Sequence, residues 1–198
     1  LKKLSLRGKI AQMMIYRMHL KYESVTPEKW EEITRLVSGD GIGGIHLWSG
    51  DGSSSIAFIN EIQNRSKVPI IFDADIERGF GQRFPSGTDF PPMMAITATG
   101  NPKNAYDVGK IVAIESKAAG VQWNLSPVVD VNNNPLNPII NTRSFSEDPD
   151  IVSEFSLEYT KGLQDHGMIA TAKHFPGHGD TQTDSHSSLA MIPSDSSR

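Results

Sequence analysis

The chain has 198 residues, of which 37% are hydrophobic and 21% charged, and its formal net charge is −4. This is the composition of an ordinary globular domain with one sizeable core. The acidic balance argues against a nucleic-acid surface, and no apolar run approaches the roughly 18 residues of a membrane helix. The absence of cysteine excludes disulfides, thiolate metal sites and a cysteine nucleophile.

Both ends of the sequence are interpreted as cuts in a longer protein. The chain begins with Leu1 rather than Met, and the segment from Pro193 to Arg198 has no helix or strand pattern that would close a fold. A signal peptide would lie outside this sequence. Cytoplasmic and exported locations therefore both stay open.

Apolar runs predict five strands, in chain order 12–16, 43–48, 69–75, 121–131 (interrupted by Pro127) and 168–175. The runs are mostly continuous rather than alternating, which is typical of parallel strands buried on both faces.

Helical patterns fill the intervals between the runs. Three helices are predicted to begin at Thr26-Pro27, Asn101-Pro102 and Asp148-Pro149, because a polar cap followed by Pro is a helix-start signal. Gly120 and Gly167 are predicted to end the last two. The predicted inward faces carry Trp30, Ile33, Leu36 and Val37; then Ile56, Ile59 and Ile62; then Ala105, Val108, Ile111 and Val112; then Val152, Phe155, Tyr159 and Leu163.

Strands alternating with helices predict βαβ units and a parallel sheet. A doubly wound sheet and a barrel both fit. A barrel usually needs about 250 residues, so five strands in this length would agree with a cut C-terminus. Two long connections, 77–100 and 132–148, follow strand ends, where long loops are usually functional.

Polar side chains gather where the last three predicted strands end: Asp73, Asp75, Asn124, Asp130, Lys173 and His174. Polar residues begin at any strand end, which explains one or two of them. That account fits the Lys173-His174 pair poorly, because an unpaired Lys is almost never fully buried. We expect a functional face at this end of the sheet.

The segment from Lys173 to His186 holds three His, two Asp and one Lys. Asp184 and His186 are two residues apart, so a tight turn could join the carboxylate to the imidazole and leave the second ring nitrogen to exchange a proton. The residues alone allow two alternatives. One is a metal site built from His174, His178, Asp180, Asp184 and His186, and the other is a merely polar loop.

The motif Lys173-His-Phe-Pro-Gly-His-Gly179, followed after four residues by Asp184-Ser-His186, resembles the signature of the β-N-acetylglucosaminidases of glycoside hydrolase family 3. Three other segments resemble the family in the same order: 75–84, 126–132 and 141–149. The similarity runs from about Gln12 to Pro193.

The resemblance implies a TIM-like (β/α)₈ barrel, of which this chain covers about the first five β/α units. Residues 1–198 would be part of the N-terminal catalytic barrel domain, without its C-terminal part. It also implies a retaining exo-glycosidase that removes terminal β-linked N-acetylglucosamine through a glycosyl-enzyme. The implied substrates are muropeptides or chitin-like oligosaccharides, and no cofactor, metal or nucleic acid is implied.

Site residues follow from the same resemblance, position by position. His186 matches the family's acid/base and Asp184 its partner, whereas Asp75, Arg143, Lys173 and His174 match positions that bind sugar hydroxyls. Nothing in the sequence matches the segment of the nucleophilic Asp, which we expect beyond residue 198. A second departure is Arg78, where the family often has Gly. Asp73 is either a further sugar contact or a structural partner.

Two other features receive structural interpretations. The segment Gly39-Asp-Gly-Ile-Gly-Gly44 fits a dinucleotide motif, but it follows a helix and opens a strand, which is the wrong context. Trp48 and Trp123 could stack on sugars, although core packing is the more common use of Trp in a strand.

The runner-up function is a β-glucosidase or β-xylosidase of the same family. The Asp184-Ser-His186 loop argues against it, because the resemblance ties that loop to the N-acetylglucosaminidase subgroup. A metal-dependent hydrolase using the His/Asp cluster is the alternative from another class, and a non-catalytic sugar-binding module is the third.

Overall fold

The computed structural model describes residues 3–20 and 25–192, and its centre is a five-stranded parallel sheet in the order β1-β2-β3-β4-β5. The strands are β1 (Ile15–Leu20), β2 (Gly44–Gly50), β3 (Ile71–Ala74), β4 (Trp123–Asn124) and β5 (Ile169–Ala170). Strands that follow one another along the chain lie side by side. This is the strand order of the first five units of a (β/α)₈ barrel.

Helices precede the first strand and connect the others. They are α1 (Leu6–Ala11), α2 (Pro27–Thr34), α3 (Gly52–Arg65), α4 (Met93–Thr97), α5 (Pro102–Ala118) and α6 (Pro149–Asp165). A π-helical turn (Arg35–Asp40) extends α2, and two 3₁₀ turns (Phe80–Gln82 and Asn141–Arg143) lie in the long connections after β3 and β4. Of these, α1 and α4 were not predicted from the sequence.

The predicted helix starts are confirmed. The side chains of Thr26, Asn101 and Asp148 each accept a hydrogen bond from a backbone N–H in the first turn of α2, α5 and α6, and Pro follows each cap. Pro is tolerated there because the first N–H of a helix has no partner within the helix. The predicted ends also hold, since Gly120 and Gly167 follow α5 and α6 with φ of +90° and +75°.

The predicted position of the first strand is wrong. The sequence suggested 12–16, but residues 6–11 form α1 and the strand runs from Ile15 to Leu20. Gln12 ends α1, and its side-chain amide donates to the carbonyl oxygen of Gly41 at 2.7 Å. An apolar run alone cannot separate the end of a short helix from the start of a buried strand.

The fourth and fifth predicted strands are longer than the regular strands observed. Regular pairing covers 123–124 and 169–170, and beyond it the two segments stay in contact through single bonds. The N–H of Lys173 donates to Pro127 O at 3.0 Å, and the N–H of Val129 donates to Lys173 O at 2.7 Å. Pro127 has no N–H to offer to a ladder, which limits regular pairing there.

One residue of the predicted inward faces is misplaced. Ile56 is 41% exposed, whereas Phe58 is 8% exposed and faces the core beside Ile59 and Ile62. The interpretation of the Gly39–Gly44 segment is confirmed, because Gly41 ends the π-helical turn with φ +74° and β2 begins at Gly44.

Two buried side chains fix the loop that leaves β3. The Asn124 amide donates to Ile76 O at 2.7 Å and accepts from Ile76 N at 3.0 Å. The Tyr159 hydroxyl, on α6, donates to Glu77 O at 3.0 Å. The main chain that carries Asp75 and Glu77 is therefore held from β4 and from α6.

In the part of the chain that the structure describes, no helix is both long enough and apolar enough to cross a membrane.

Candidate active site

A cavity of about 340 Å³ opens at the carboxyl ends of the strands. Its wall includes Trp48 from β2, Asp75 and Glu77 after β3, Arg143 from the second 3₁₀ turn, and His186. The carboxyl ends of parallel strands are where α/β proteins place their ligands.

Asp75, Arg143 and Lys173 belong to one network of charges, and Glu77 joins them. The Lys173 ammonium contacts Asp75 Oδ1 and lies 2.8 Å from Glu77 Oε1. The Arg143 guanidinium donates through two nitrogens to the two Glu77 oxygens, at 3.0 and 2.6 Å, and through a third to Ile139 O at 2.9 Å. A guanidinium held by a bidentate pair of this kind has a fixed plane.

The Glu77 carboxylate is nearly enclosed, with 7% of its side chain exposed. Burial by itself would raise the pKa of Glu77, but the hydrogen bonds from Arg143 and the charge of Lys173 outweigh it and lower the pKa from 4.5 to about 2. Glu77 is therefore a fixed negative charge at neutral pH. The sequence interpretation assigned it no role, although it lies in the matched segment after the third strand.

Arg83 is a second residue that the sequence interpretation did not single out. Its Nε donates to Asp75 O at 2.8 Å and its Nη2 lies 3.4 Å from Asp75 Oδ2. The Asp75 carboxylate therefore has a cation on each oxygen, Lys173 on one and Arg83 on the other.

His174 is held by Asp130. The His174 Nδ1 lies 2.6 Å from Asp130 Oδ2, and the backbone N–H of His178 donates to Asp130 Oδ1 at 2.6 Å. Burial would raise the pKa of Asp130, but these two hydrogen bonds outweigh it and lower the pKa. The His174 side chain is 35% exposed and is not part of the cavity wall.

The first part of the loop after β5 is anchored by polar contacts. The Asn137 amide donates to His178 O at 2.6 Å, and His178 Nδ1 lies 2.6 Å from the Thr181 hydroxyl. His178 Nε2 lies 2.9 Å from the Ser185 hydroxyl, which links this anchored part to the next turn.

Asp184 and His186 meet as the spacing predicted. Asp184 Oδ1 lies 2.6 Å from His186 Nδ1 and accepts the backbone N–H of His186 at 2.9 Å. The backbone N–H and then the ring of His186 lower the pKa of the Asp184 carboxyl. The His186 side chain is 72% exposed, at the edge of the cavity that it lines.

Three other residues that the sequence analysis selected contact other parts of the fold and do not line the cavity. Asn124 is fully buried and holds the loop at Ile76, so it does not contribute to the cavity. Asp73 is a structural partner, with Oδ1 at 2.5 Å from the buried His46 Nδ1. Trp123 donates to the Thr171 hydroxyl at 2.6 Å.

The core interpretation of Trp48 is wrong, because Trp48 is half-buried and lines the cavity.

The metal alternative receives no support from the described residues, among which no group of three His, Asp or Glu side chains is placed to hold a metal ion. Two of the proposed ligands are joined to each other, His186 to Asp184, and His174 is joined to Asp130.

Comparison with known proteins identifies the family. Residues 5–198 match the family model described as the glycosyl hydrolase family 3 N-terminal domain. The chain therefore belongs to glycoside hydrolase family 3, and the sheet described above is the first part of that family's TIM-like barrel.

Similar proteins carry related names. The chain is 36% identical over 178 residues to "Beta-hexosaminidase A" of Pseudoalteromonas piscicida, covering 83% of this chain and 30% of that protein. It is 33% identical over 156 residues to "Beta-N-acetylglucosaminidase/beta-glucosidase" of Cellulomonas fimi, covering 79% of this chain and 28% of that protein. This chain thus matches less than a third of the length of either relative.

A solved structure has the same fold. The family 3 β-N-acetylglucosaminidase of Paenibacillus sp. str. FPU-7 aligns with a TM-score of 0.84 at 30% identity, over 98% of this chain and 37% of that one.

Proposed function

We propose that this chain carries the sugar-binding and acid/base part of an enzyme that hydrolyses terminal β-linked N-acetylglucosamine with retention of configuration. The observation that carries the proposal is the Asp184–His186 pair at the edge of a cavity whose wall also holds Asp75 and Arg143. The family and the names of the two relatives support it.

His186 is the proposed acid/base. Its Nδ1 is bonded to the Asp184 carboxylate, which leaves Nε2 to exchange a proton with the glycosidic oxygen. In the first step the imidazolium donates that proton as the bond from the anomeric carbon to the leaving oxygen breaks and a nucleophilic carboxylate, outside these residues, bonds to the same carbon. In the second step water attacks that carbon, its bond to the nucleophilic carboxylate breaks, and the neutral ring takes the proton that the water loses.

Asp75, Arg143, Lys173 and His174 are the proposed sugar contacts, of which Asp75 and Arg143 line the cavity and Lys173 and His174 do not. Arg143 and Lys173 can donate to hydroxyl oxygens, and Asp75 can accept from hydroxyl protons. Each of the four is already held by an oppositely charged or hydrogen-bonding neighbour, so a sugar would meet groups with fixed positions. Charge-assisted bonds of this kind are strong and directional.

The nucleophile of the retaining step is proposed to be an Asp outside these 198 residues, on a later strand of the barrel. Residues 1–198 are accordingly proposed to be part of the catalytic barrel domain. The expected consequence is that the 198-residue piece alone has no glycosidase activity. Turnover by that piece, purified free of host glycosidases, would overturn this assignment.

A β-glucosidase is the second candidate, because the name of the Cellulomonas fimi relative joins both activities. The experiment is hydrolysis of an aryl β-N-acetylglucosaminide and the matching aryl β-glucoside by the full-length natural protein, with and without a chelator. Preference for the acetamido sugar, unchanged by the chelator, is expected. Preference for glucose would move the function to the second candidate, and loss of activity with chelator would revive the metal-dependent hydrolase.

A further inference from the structure

Trp48 occupies an irregular position in the sheet, next to the proposed sugar site. In the β1–β2 pairing Met18 lies opposite Leu47 and His19 lies opposite Ser49, so Trp48 is left without a partner on β1. An extra residue of this kind is a β-bulge, and bulges next to a site re-aim a side chain. Trp48 lines the cavity, and His19 Nδ1 lies 3.1 Å from the Ser49 hydroxyl across the bulge.

The indole of Trp48 has two guanidinium groups over it. The Arg17 guanidinium carbon lies 4.0 Å from the ring centroid and that of Arg83 lies 4.5 Å away. Both distances are within the range of an energetically useful cation–π contact. Because two guanidinium groups already contact the Trp48 ring, the ring is not free to stack on a sugar.

Arg83 is the link between Trp48 and the site. Its main-chain oxygen accepts from Gly50 N at 3.2 Å, which ties it to the end of β2. Its guanidinium reaches Asp75, with Nε donating to the main-chain oxygen and Nη2 near the carboxylate. The Arg83 side chain therefore contacts the Trp48 ring and Asp75 at the same time.

We propose that Trp48 is a positioning residue: it holds the Arg83 guanidinium against Asp75 and thereby sets the orientation of the Asp75 carboxylate toward the sugar. The catalytic part of this inference rests on the proposed function. The contact between Trp48 and Arg83 can be tested separately from it.

The kinetic test uses the full-length natural protein and an aryl β-N-acetylglucosaminide. Trp48→Leu is expected to lower kcat/KM about tenfold, and Trp48→Phe, which keeps a flat ring, by less than about threefold. In an Arg83→Gln background, Trp48→Leu should lower kcat/KM by no more than about twofold, because the residue it holds is gone. If the two substitutions lower kcat/KM additively, the proposal is overturned and Trp48 is a direct sugar contact. An unchanged kcat/KM for Trp48→Leu in the wild-type background would also overturn it.

Trp30, on α2, offers a matched control outside the cavity. The guanidinium carbon of Arg65, on α3, lies 5.3 Å from the centroid of its ring. Trp30→Leu should leave kcat/KM within about twofold at a temperature where both variants are folded.

A crystal structure of the full-length Trp48→Leu variant gives a readout that needs no activity. The Arg83 guanidinium is expected to leave hydrogen-bond distance of Asp75 O, and an unmoved guanidinium would overturn the proposal. If the wild-type enzyme hydrolyses neither aryl glycoside, the proposed function fails, and the crystal structure still decides whether Trp48 positions Arg83.

Discussion

Asp184 and His186 form a closed turn in which one carboxylate oxygen contacts both the ring and the backbone of the histidine. Oδ1 lies 2.6 Å from Nδ1 and 2.9 Å from the backbone nitrogen. The ring orientation is therefore coupled to the local main chain, although the side chain is 72% exposed. The proton transfer proposed for His186 needs both access and a defined direction, and this turn supplies them.

Replacement of Glu77 by Gln should destabilise the fold in a pH-dependent way. The pKa of Glu77 is lowered from 4.5 to about 2, so its ionised form stabilises the folded state above the unfolded pKa, and this contribution is lost as pH falls from about 4.5 toward 2. The shift corresponds to about 3 kcal/mol at neutral pH. Denaturant unfolding should show a large deficit for Glu77→Gln at pH 7 that narrows by pH 3.

The control for that prediction is Glu61→Gln, which removes an exposed pair with Arg65 on α3. It should change the free energy of unfolding by less than about 1 kcal/mol at either pH. A Glu77→Gln deficit that is the same at pH 7 and pH 3 would contradict the assignment of Glu77 as a buried anion.

Arg143→Lys should lower kcat/KM for an aryl β-N-acetylglucosaminide by about tenfold or more. A lysine cannot reach both Glu77 oxygens and Ile139 O from a fixed plane, so the proposed sugar contact loses its orientation. Arg65→Lys, at an exposed pair with Glu61, is the matched control and should have no effect. Steady-state kinetics on both variants measure this, and an unchanged kcat/KM for Arg143→Lys would contradict the role of Arg143 as a sugar contact.

Asp130→Asn should weaken substrate binding through His174. The fully buried Asp130 carboxylate orients the His174 ring and accepts the His178 backbone N–H, and hydrogen bonds to charged groups contribute about 1.5–3 kcal/mol. We expect a rise in KM of about tenfold in initial-rate measurements. Asp107→Asn, at an exposed pair with Lys103, is the control. An unchanged KM would mean that the orientation of His174 does not matter for the sugar.

Local sequence signals predicted the helices well and the strands less well. Thr26, Asn101 and Asp148 start helices because a cap acts within one turn of chain. Strand bounds depend on pairing with distant segments, which is why the first predicted strand was displaced toward α1.

The site shows the same division. The Asp184–His186 contact spans two residues and was predicted from a turn. The Arg143–Glu77 contact spans 66 residues and the His174–Asp130 contact spans 44, and no local pattern shows which carboxylate meets which base. The convergence of Asp75 and Lys173 was predicted from their positions at strand ends, whereas Arg143 was predicted only from family resemblance. The support of Arg83 by Trp48 depends on a bulge that only the strand pairing reveals.

The most direct test of the account is the dependence of the His186→Ala loss on the leaving group. We would measure kcat/KM of the full-length wild-type and variant proteins on aryl β-N-acetylglucosaminides whose phenols range from acidic to weakly acidic, with His166→Ala, outside the cavity, as control. If His186 protonates the leaving oxygen, the loss should be small for the most acidic phenol and rise to about 10²–10⁴-fold for the poorest leaving group. An equal loss across the series would contradict the acid role of His186.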